Sequence, residues 1–171
     1  MKTIVLNLCV LTATFGSCQA TSNIISFEAY EKIQINDAKL SDIRKTYGKE
    51  SLIEKLFGKP ISKEIDVDGN HFIFDGFDVG FSAIISDGTQ KHPILGSFEI
   101  LNKKASITIK GVTFTVGDNI SVLGNSIKFN TKKDGSKSIL FQYCLGCNNF
   151  ILIRFNQVSK IITEIKYVEL T

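Results

Sequence analysis

Hydrophobic and polar residues alternate with a period of two along most of the chain after residue 20. The alternation is clearest in residues 77–85, 107–116 and 161–167, where apolar side chains recur mainly at every second position. Such alternation is typical of strands with one buried and one exposed face. Turn signals, among them Asp68-Gly69 and Asp87-Gly88, separate the apolar runs. Strands joined by short turns predict a mainly antiparallel β-sheet.

Short helical segments interrupt this alternation. Ser51 and Glu54 have the spacing of a capping box, in which each side chain accepts a hydrogen bond from the other residue's backbone N–H. Apolar residues at helical spacing follow, and Gly58 predicts the end of that helix. A second short helix is predicted over residues 41–47, and a weaker helical turn over 118–124 with its first residue as N-cap. We therefore expect an α+β fold, a mainly antiparallel sheet with two or three short helices packed on one face.

The two halves of the chain show a weak similarity to each other. In each half an apolar strand leads into a short helical segment, Leu40–Ile43 in the first and Val116–Ile120 in the second, and β-hairpins follow. This order is consistent with a tandem duplication inside one folded domain, which we place at residues 21–171. A domain of about 150 residues buries about 68–70% of the surface of its unfolded chain, which is enough for an independent core.

Residues 1–20 are predicted to be an export signal. Lys2 provides the positive start, and Ile4–Phe15 form an apolar run that is too short to span a bilayer. Cleavage before Cys18 would leave that residue lipidated, whereas conventional cleavage would occur after Ala20; the small residues directly before the cysteine favour lipidation. Because residues 19–23 carry no acidic charge, we expect a periplasmic protein tethered to the outer membrane by the lipid on Cys18.

Composition narrows the classes of function. The chain has 20 lysines and arginines against 17 acidic residues, a formal net charge of +3, and its arginines are Arg44 and Arg154 alone. So small a basic excess argues against nucleic-acid binding. The sequence contains no nucleophile-elbow, phosphate-binding or dinucleotide-binding motif. We therefore expect neither enzymatic activity nor a cofactor.

Cys144-Leu-Gly-Cys147 is the sharpest local motif. A redox-active pair of this spacing depends on a helix N-terminus that lowers the pKa of the first thiol. Here strand-like runs flank the motif on both sides, so it is predicted to lie at a hairpin tip. In an oxidising envelope we expect a disulfide that closes the turn, with unpaired turn cysteines as the alternative. His71 and His92 lack zinc-ligand spacing relative to each other, so no zinc site is predicted.

The segment Leu52–Pro60, a short helix that ends in Gly-Lys-Pro before a run of strands, resembles the helix–hairpin unit of the BamE-like and β-lactamase-inhibitor-like folds. The resemblance covers these nine residues and the order of the elements. It implies a small exported protein, often a lipoprotein, that binds another protein through a sheet surface and has no catalytic residues.

Two loops are candidates for contact with a partner. Four phenylalanines lie within residues 71–81, and core packing accounts for most of them. Aromatic residues beside acids at a bend are, however, typical anchors of protein interfaces. The predicted contact residues are Phe74, Asp75, Phe77, Asp78, Asn148 and Asn149.

These observations predict a non-catalytic periplasmic protein-binding lipoprotein. An inhibitor or immunity-type protein that occludes a partner enzyme or toxin is the first hypothesis. The alternatives are an outer-membrane assembly accessory lipoprotein, a carrier of a small apolar ligand, and a thiol–disulfide oxidoreductase. We expect a protein partner in the envelope, no nucleic acid, and membrane contact only through the lipid anchor.

Overall fold

A computed structural model describes residues 21–83 and 92–169 of the protein. The elements of these two ranges, in chain order, are β1 (Asn23–Ile24), α1 (Phe27–Glu31), β2 (Gln34–Ile35), β3 (Ala38–Lys39), α2 (Leu40–Lys45), α3 (Glu50–Phe57), β4 (Ser62–Ile65), β5 (Gly69–Phe74), β6 (Phe77–Ser82), β7 (Leu95–Ile100), β8 (Ile107–Ile109), β9 (Val112–Phe114), a 3₁₀ helix (Ile120–Leu123), β10 (Asn130–Thr131), β11 (Lys137–Gln142), β12 (Asn149–Phe155) and β13 (Ile162–Glu169). The predicted signal at 1–20, with Cys18 and Ala20, and the predicted turn Asp87-Gly88 lie outside the described residues.

The strands form one large and one small sheet. The large sheet has the order β4-β5-β6-β7-β13-β12-β11-β1, and β10 pairs with the same edge of β11 as β1 does. All neighbours in it are antiparallel except β1 and β11. The small sheet has the order β3-β2-β8-β9 and is antiparallel throughout. The predicted mainly antiparallel β architecture with a few short helices is confirmed.

The two halves of the chain have the same order of elements. Each consists of a hairpin, a helical segment and a four-stranded meander: β2–β3, α2–α3 and β4–β7 in the first half, and β8–β9, the 3₁₀ helix and β10–β13 in the second. The hairpins meet at the β2–β8 pair, and the meanders meet at the β7–β13 pair. The first strands of the two hairpins and the last strands of the two meanders therefore form the junctions between the halves.

The core lies on one face of the large sheet, which we call the inner face. One row of opposed residues crosses five strands on this face: Ile151, Tyr167, Phe98, Val79 and Phe72. All five side chains are buried, and the rings of Phe98 and Tyr167 stack at 5.2 Å between centroids. Burying a side chain of this size stabilises the fold by about 1.5–3 kcal/mol. The predicted inward positions of β6, which include Phe77, Val79 and Phe81, are likewise buried.

Helix α3 begins two residues earlier than predicted. Glu50 is its first residue and Lys49 its N-cap, without a side-chain hydrogen bond, so the predicted capping box of Ser51 and Glu54 does not form. The chain enters this helix through Tyr47 and Gly48, both with positive φ, and a Cβ at Gly48 would lie 3.0 Å from the ring of Phe81. Packing of this bend against the sheet therefore fixes where the helix starts.

The ends of the other helical segments also differ by a residue or more from expectation. Helix α2 begins at Leu40 and ends at Lys45, whereas residues 41–47 were predicted. Gly58 ends α3 with a φ of 80°, and this end agrees with the prediction. Asn119, and not Asp118, caps the 3₁₀ helix, since its side-chain oxygen accepts a hydrogen bond from Ser121 N–H. The Asp118 carboxylate instead accepts one from the preceding Thr115 N–H at 2.9 Å. None of the helices in the described part of the chain has the length and apolarity needed to span a bilayer.

Candidate functional site

The Asp75-Gly76 turn exposes an acidic side chain above buried aromatic rings. Phe74 and Phe77 are only 6% and 4% exposed, and their rings stack at 4.7 Å between centroids. Phe57 of α3 packs against both rings. Asp75 is exposed and forms an ion pair with Lys104 at 2.8 Å. Phe74 and Phe77 thus serve the core, and neither is included in the interface proposed below.

The two loops predicted to contact a partner lie at opposite ends of the large sheet. Strand register places Phe77, which follows the Asp75-Gly76 turn, in one row with Ile100, Ile165, Ile153 and Ile139. Ile139 is near the start of β11, whereas residues 143–148 come after its end. The length of a strand therefore separates the two loops, and they do not form one surface.

The β11–β12 tip is closed by the predicted disulfide, Cys144–Cys147, with Cα atoms 5.5 Å apart. Leu145 at the tip is 79% exposed, and Asn148 is exposed as well. Asn149 begins β12 and is buried, with its side-chain oxygen lacking a hydrogen-bond partner among the described atoms. The cysteines occupy a turn between two strands and not the N-terminus of a helix, so this position supplies no helix dipole to activate a thiol.

Asp78 lies on the other side of the large sheet, which we call the outer face. Its row contains Glu99 on β7, Lys166 on β13 and Leu152 on β12. Lys166 Nζ is 3.5 Å from a carboxylate oxygen of Glu99. Partial burial raises the pKa of Asp78, and the neighbouring carboxylate of Glu99 raises it further. Two acids and one lysine thus form a charged row across the centre of the outer face.

The next row of the outer face holds Phe150, Val168, Ser97, Gly80 and His71. Gly80 permits a close approach here, because a Cβ at this position would lie 2.6 Å from the imidazole of His71 and 2.8 Å from Ser97 Oγ. Glycine is therefore required for the packing of these two polar side chains over β6.

One end of the outer face is apolar. The side chains of this apolar patch are partly exposed and do not belong to the buried core: Leu140, Phe150, Leu152 and Val168. They lie on three adjacent strands, β11, β12 and β13. The charged row of Asp78, Glu99 and Lys166 continues from this patch toward β6. The outer face therefore combines an apolar patch with flanking charges on a hydrogen-bonded sheet.

Sequence reasoning identified Asp78 and missed the apolar patch. The signal was present in the continuous apolar runs Ile139–Phe141 and Phe150–Ile153, which place apolar side chains on both faces of a strand. The sequence analysis used the alternation only to predict buried positions. It therefore made no prediction for the side chains on the opposite face of β11 and β12.

Among residues 21–83 and 92–169, no group of three or more histidine, cysteine or acidic side chains is placed so that it could hold a metal ion. His71 lies on the outer face, as described above, and the ring of His92 packs against Tyr47 at 4.7 Å between centroids.

Comparison with known proteins leaves the family open. No protein-family model matches the chain, and none of the curated proteins compared with it is significantly similar in sequence. The crystal structure of a cysteine-rich secretory protein from Staphylococcus aureus subsp. aureus Mu50 is similar with a TM-score of 0.39 and 15% sequence identity. The alignment covers 70% of this chain but only 41% of that one, so this chain spans less than half of its length.

Proposed function

We propose that the protein is a non-catalytic, periplasmic protein-binding lipoprotein that uses the outer face of its large sheet to occlude a partner enzyme or toxin. The apolar patch of Leu140, Phe150, Leu152 and Val168 is the observation that carries this proposal. Apolar side chains gathered on one side of a sheet, outside the core and beside charged residues, are typical of a protein interface.

The dimensions of the outer face suit a protein partner. Seven adjacent strands of about six residues, spaced by about 4.8 Å, give a face of about 30 Å by 20 Å. This projected area is of the same order as the roughly 800 Å² that each partner contributes to a standard interface. A small molecule would leave most of such an open face in contact with water.

The charged row supports specificity. Asp78 and Glu99 lie beside the apolar patch, and only Lys166 lies between them and Leu152. Charges at the border of an apolar patch select for partners of complementary potential and raise the association rate. We expect the partner surface to present one or two cations opposite Asp78 and Glu99.

Two features of the fold accompany this proposal. We infer that the short helices pack on the inner face, since Phe57 of α3 contacts Phe74 and Phe77, and Tyr30 of α1 contacts Tyr143. We also infer that the two halves arose by tandem duplication, which the shared order of hairpin, helix and meander supports.

Affinity purification of the tagged protein from native envelopes tests the binding role. We expect one hydrolase or toxin in stoichiometric amount, whose activity falls when the purified protein is added. Leu152→Asp should abolish both capture and inhibition, because it places a charge in the centre of the apolar patch. Val158→Asp, in the exposed β12–β13 turn, is the matched control and should change neither.

Each other outcome has a definite meaning. Inhibition that survives Leu152→Asp in a folded protein would remove the outer face from the mechanism. Recovery of outer-membrane proteins without any inhibited enzyme would replace the inhibitor role with the assembly role. A protein that captures nothing would contradict the binding function itself.

Lipidation has an independent test. Cys18→Ser should move the protein from the membrane fraction to the soluble periplasmic fraction and abolish labelling by radioactive palmitate. Cys144→Ser, which removes another cysteine from the same chain, should leave both the fractionation and the labelling unchanged. Cleavage after Ala20 with unchanged solubility in both variants would show a conventional signal peptide.

A further inference from the structure

A cleft of about 470 Å³ opens between the edge of the large sheet and the second hairpin of the small sheet. Its walls come from β1, from the β8–β9 hairpin, from the segment after the 3₁₀ helix and from β11. The volume lies within the range of about 300–1,000 Å³ that small-molecule sites occupy. The cleft is on the inner side of the sheet, because the Phe141 side chain that lines it alternates with the outward-facing Leu140.

The floor of the cleft is apolar. Ile25, Ile109 and Phe141 are buried members of the core that also line the cleft. Val112, Leu123 and Ile127 line it as partly buried side chains packed against the same core. A ligand that covers this floor therefore gains by removing hydrocarbon surface from water, at about 25 cal/mol per Å² of apolar area.

The rim of the cleft is cationic. Lys110, in the β8–β9 turn, and Lys128 line it, and no acidic residue does. None of the ion pairs within the described part of the chain includes Lys110 or Lys128, so neither lysine has a carboxylate partner there. Two uncompensated ammonium groups beside an apolar floor complement a ligand with an anionic head and a hydrocarbon tail.

Hydrogen bonds from the side chain of Asn23 hold the backbone of Lys128 in place. The side-chain amide of Asn23 donates to the Lys128 carbonyl at 3.0 Å and accepts from the Lys128 N–H at 2.8 Å. The same amide nitrogen donates to the Leu140 carbonyl at 3.1 Å. Asn23 therefore fastens the lysine-bearing segment to the edge of the large sheet and keeps that wall of the cleft in place.

We propose that this cleft binds a single-chain amphiphile with an anionic head group, such as a long-chain fatty acid. The acyl chain lies against Ile25, Ile109 and Phe141, and the carboxylate is held between Lys110 and Lys128. This site is separate from the outer face and does not depend on the protein-binding role.

Palmitate binding to the Cys18→Ser protein, purified from the periplasm without detergent, tests the proposal by displacement of a fluorescent fatty acid. We expect one palmitate per chain. Hexadecanol, which has the same hydrocarbon tail and no charge, should bind at least 10-fold more weakly. This comparison between two ligands uses one folded protein, so it is independent of any effect of mutation on folding.

Charge reversal locates the head group. Lys110→Glu with Lys128→Glu should weaken palmitate binding at least 10-fold, with no comparable effect on hexadecanol. Lys132→Glu with Lys133→Glu makes the same change in net charge in the β10–β11 turn, outside the cleft lining, and should leave palmitate affinity within about two-fold.

Several results would overturn the proposal. These are equal affinity for palmitate and hexadecanol, an equal loss in both double variants, absence of palmitate binding, and recovery of a bound peptide from the purified protein in place of a lipid.

Discussion

Arg44 on α2 donates a hydrogen bond to the hydroxyl of Tyr167 on β13 at 2.7 Å, across a sequence separation of 123 residues. The same guanidinium forms ion pairs with Glu31 of α1 and with Glu169 of β13. One half-buried side chain thus connects two helices of the first half to the last strand of the second. Burial raises the pKa of Tyr167 far above its ordinary value, and its hydroxyl accepts a hydrogen bond from Arg44 and donates one to the Glu169 carboxylate.

Replacing Arg44 by alanine should therefore be costly. The variant leaves Glu31 and Glu169 partly buried without their cation, and the hydrogen bonds to charged groups that it removes are worth about 1.5–3 kcal/mol each. We expect a loss of about 2–4 kcal/mol in the free energy of unfolding, measured by urea denaturation.

Lys45→Ala is the matched control for that experiment. Lys45 follows Arg44 on the same helix and forms a largely exposed ion pair with Asp42. The loss of this ion pair should lower the free energy of unfolding by less than about 1 kcal/mol. Equal losses in the two variants would show that the Arg44 network contributes no more than a surface ion pair.

Gly80→Ala should destabilise the sheet through a steric clash. The new Cβ would lie 2.6 Å from the imidazole of His71, and overpacking of this kind typically costs about 1–3 kcal/mol. Gly96→Ala is the control, because the nearest atoms to its Cβ would be at an ordinary 3.8 Å. The melting temperature should fall for Gly80→Ala and change much less for Gly96→Ala.

A second substitution identifies the clashing partner. His71→Ala in the Gly80→Ala background should restore part of the lost melting temperature, since two of the three nearest contacts of the new methyl group are with the imidazole. If the double variant is no more stable than Gly80→Ala, the imidazole is not the source of the strain.

Asp78→Asn should make the protein more stable at neutral pH. The folded protein holds the pKa of Asp78 above its ordinary value near 3.8, so the ionised carboxylate is less favourable in the folded than in the unfolded chain. The wild type therefore loses stability relative to the variant as the pH rises from about 3.8 to the raised pKa of Asp78. Above that pKa the difference in stability between the two proteins stays constant.

Thermal unfolding at pH 3 and pH 7 measures this difference. The variant should be the more stable protein at pH 7, and its advantage should shrink at pH 3, where Asp78 is protonated in both states. An advantage of equal size at both pH values would mean that the charge of Asp78 is not its cause. If Asp78 contacts the partner as proposed, the stabilised variant should also bind that partner less well.

Removing the Cys144–Cys147 disulfide should have a small effect. The bond closes a loop with a sequence separation of only three residues, so it restricts the unfolded chain little, and we expect a loss below about 2 kcal/mol when both cysteines are replaced by serine. Urea denaturation of wild type and variant, each with and without a reductant, measures it. A reductant effect that persists in the variant would not come from this bond.

The sequence contained enough local information for some elements and not for others. Alternation at Phe77, Val79 and Phe81 predicted a buried face, because the period of a strand depends only on neighbouring residues. Strand-like flanks likewise placed Cys144 and Cys147 at a hairpin tip, where the structure has them.

Features that depend on distant residues were predicted wrongly or not at all. The capping-box pattern of Ser51 and Glu54 is present in the sequence, but the bend at Gly48 packs against Phe81, more than thirty residues away, and shifts the helix start. The apolar patch is visible only once β11, β12 and β13 are known to be neighbours. No local pattern specifies the β2–β8 and β7–β13 pairs, which join segments far apart in the chain.

The placement of β13 has a consequence for how the chain reaches its folded state. This strand follows every other described strand in sequence, yet it lies in the interior of the large sheet, between β7 and β12. In a nascent chain that ends before Ile162, β7 and β12 each lack the neighbour that β13 provides in the folded sheet. The large sheet therefore becomes continuous only after synthesis of its final strand.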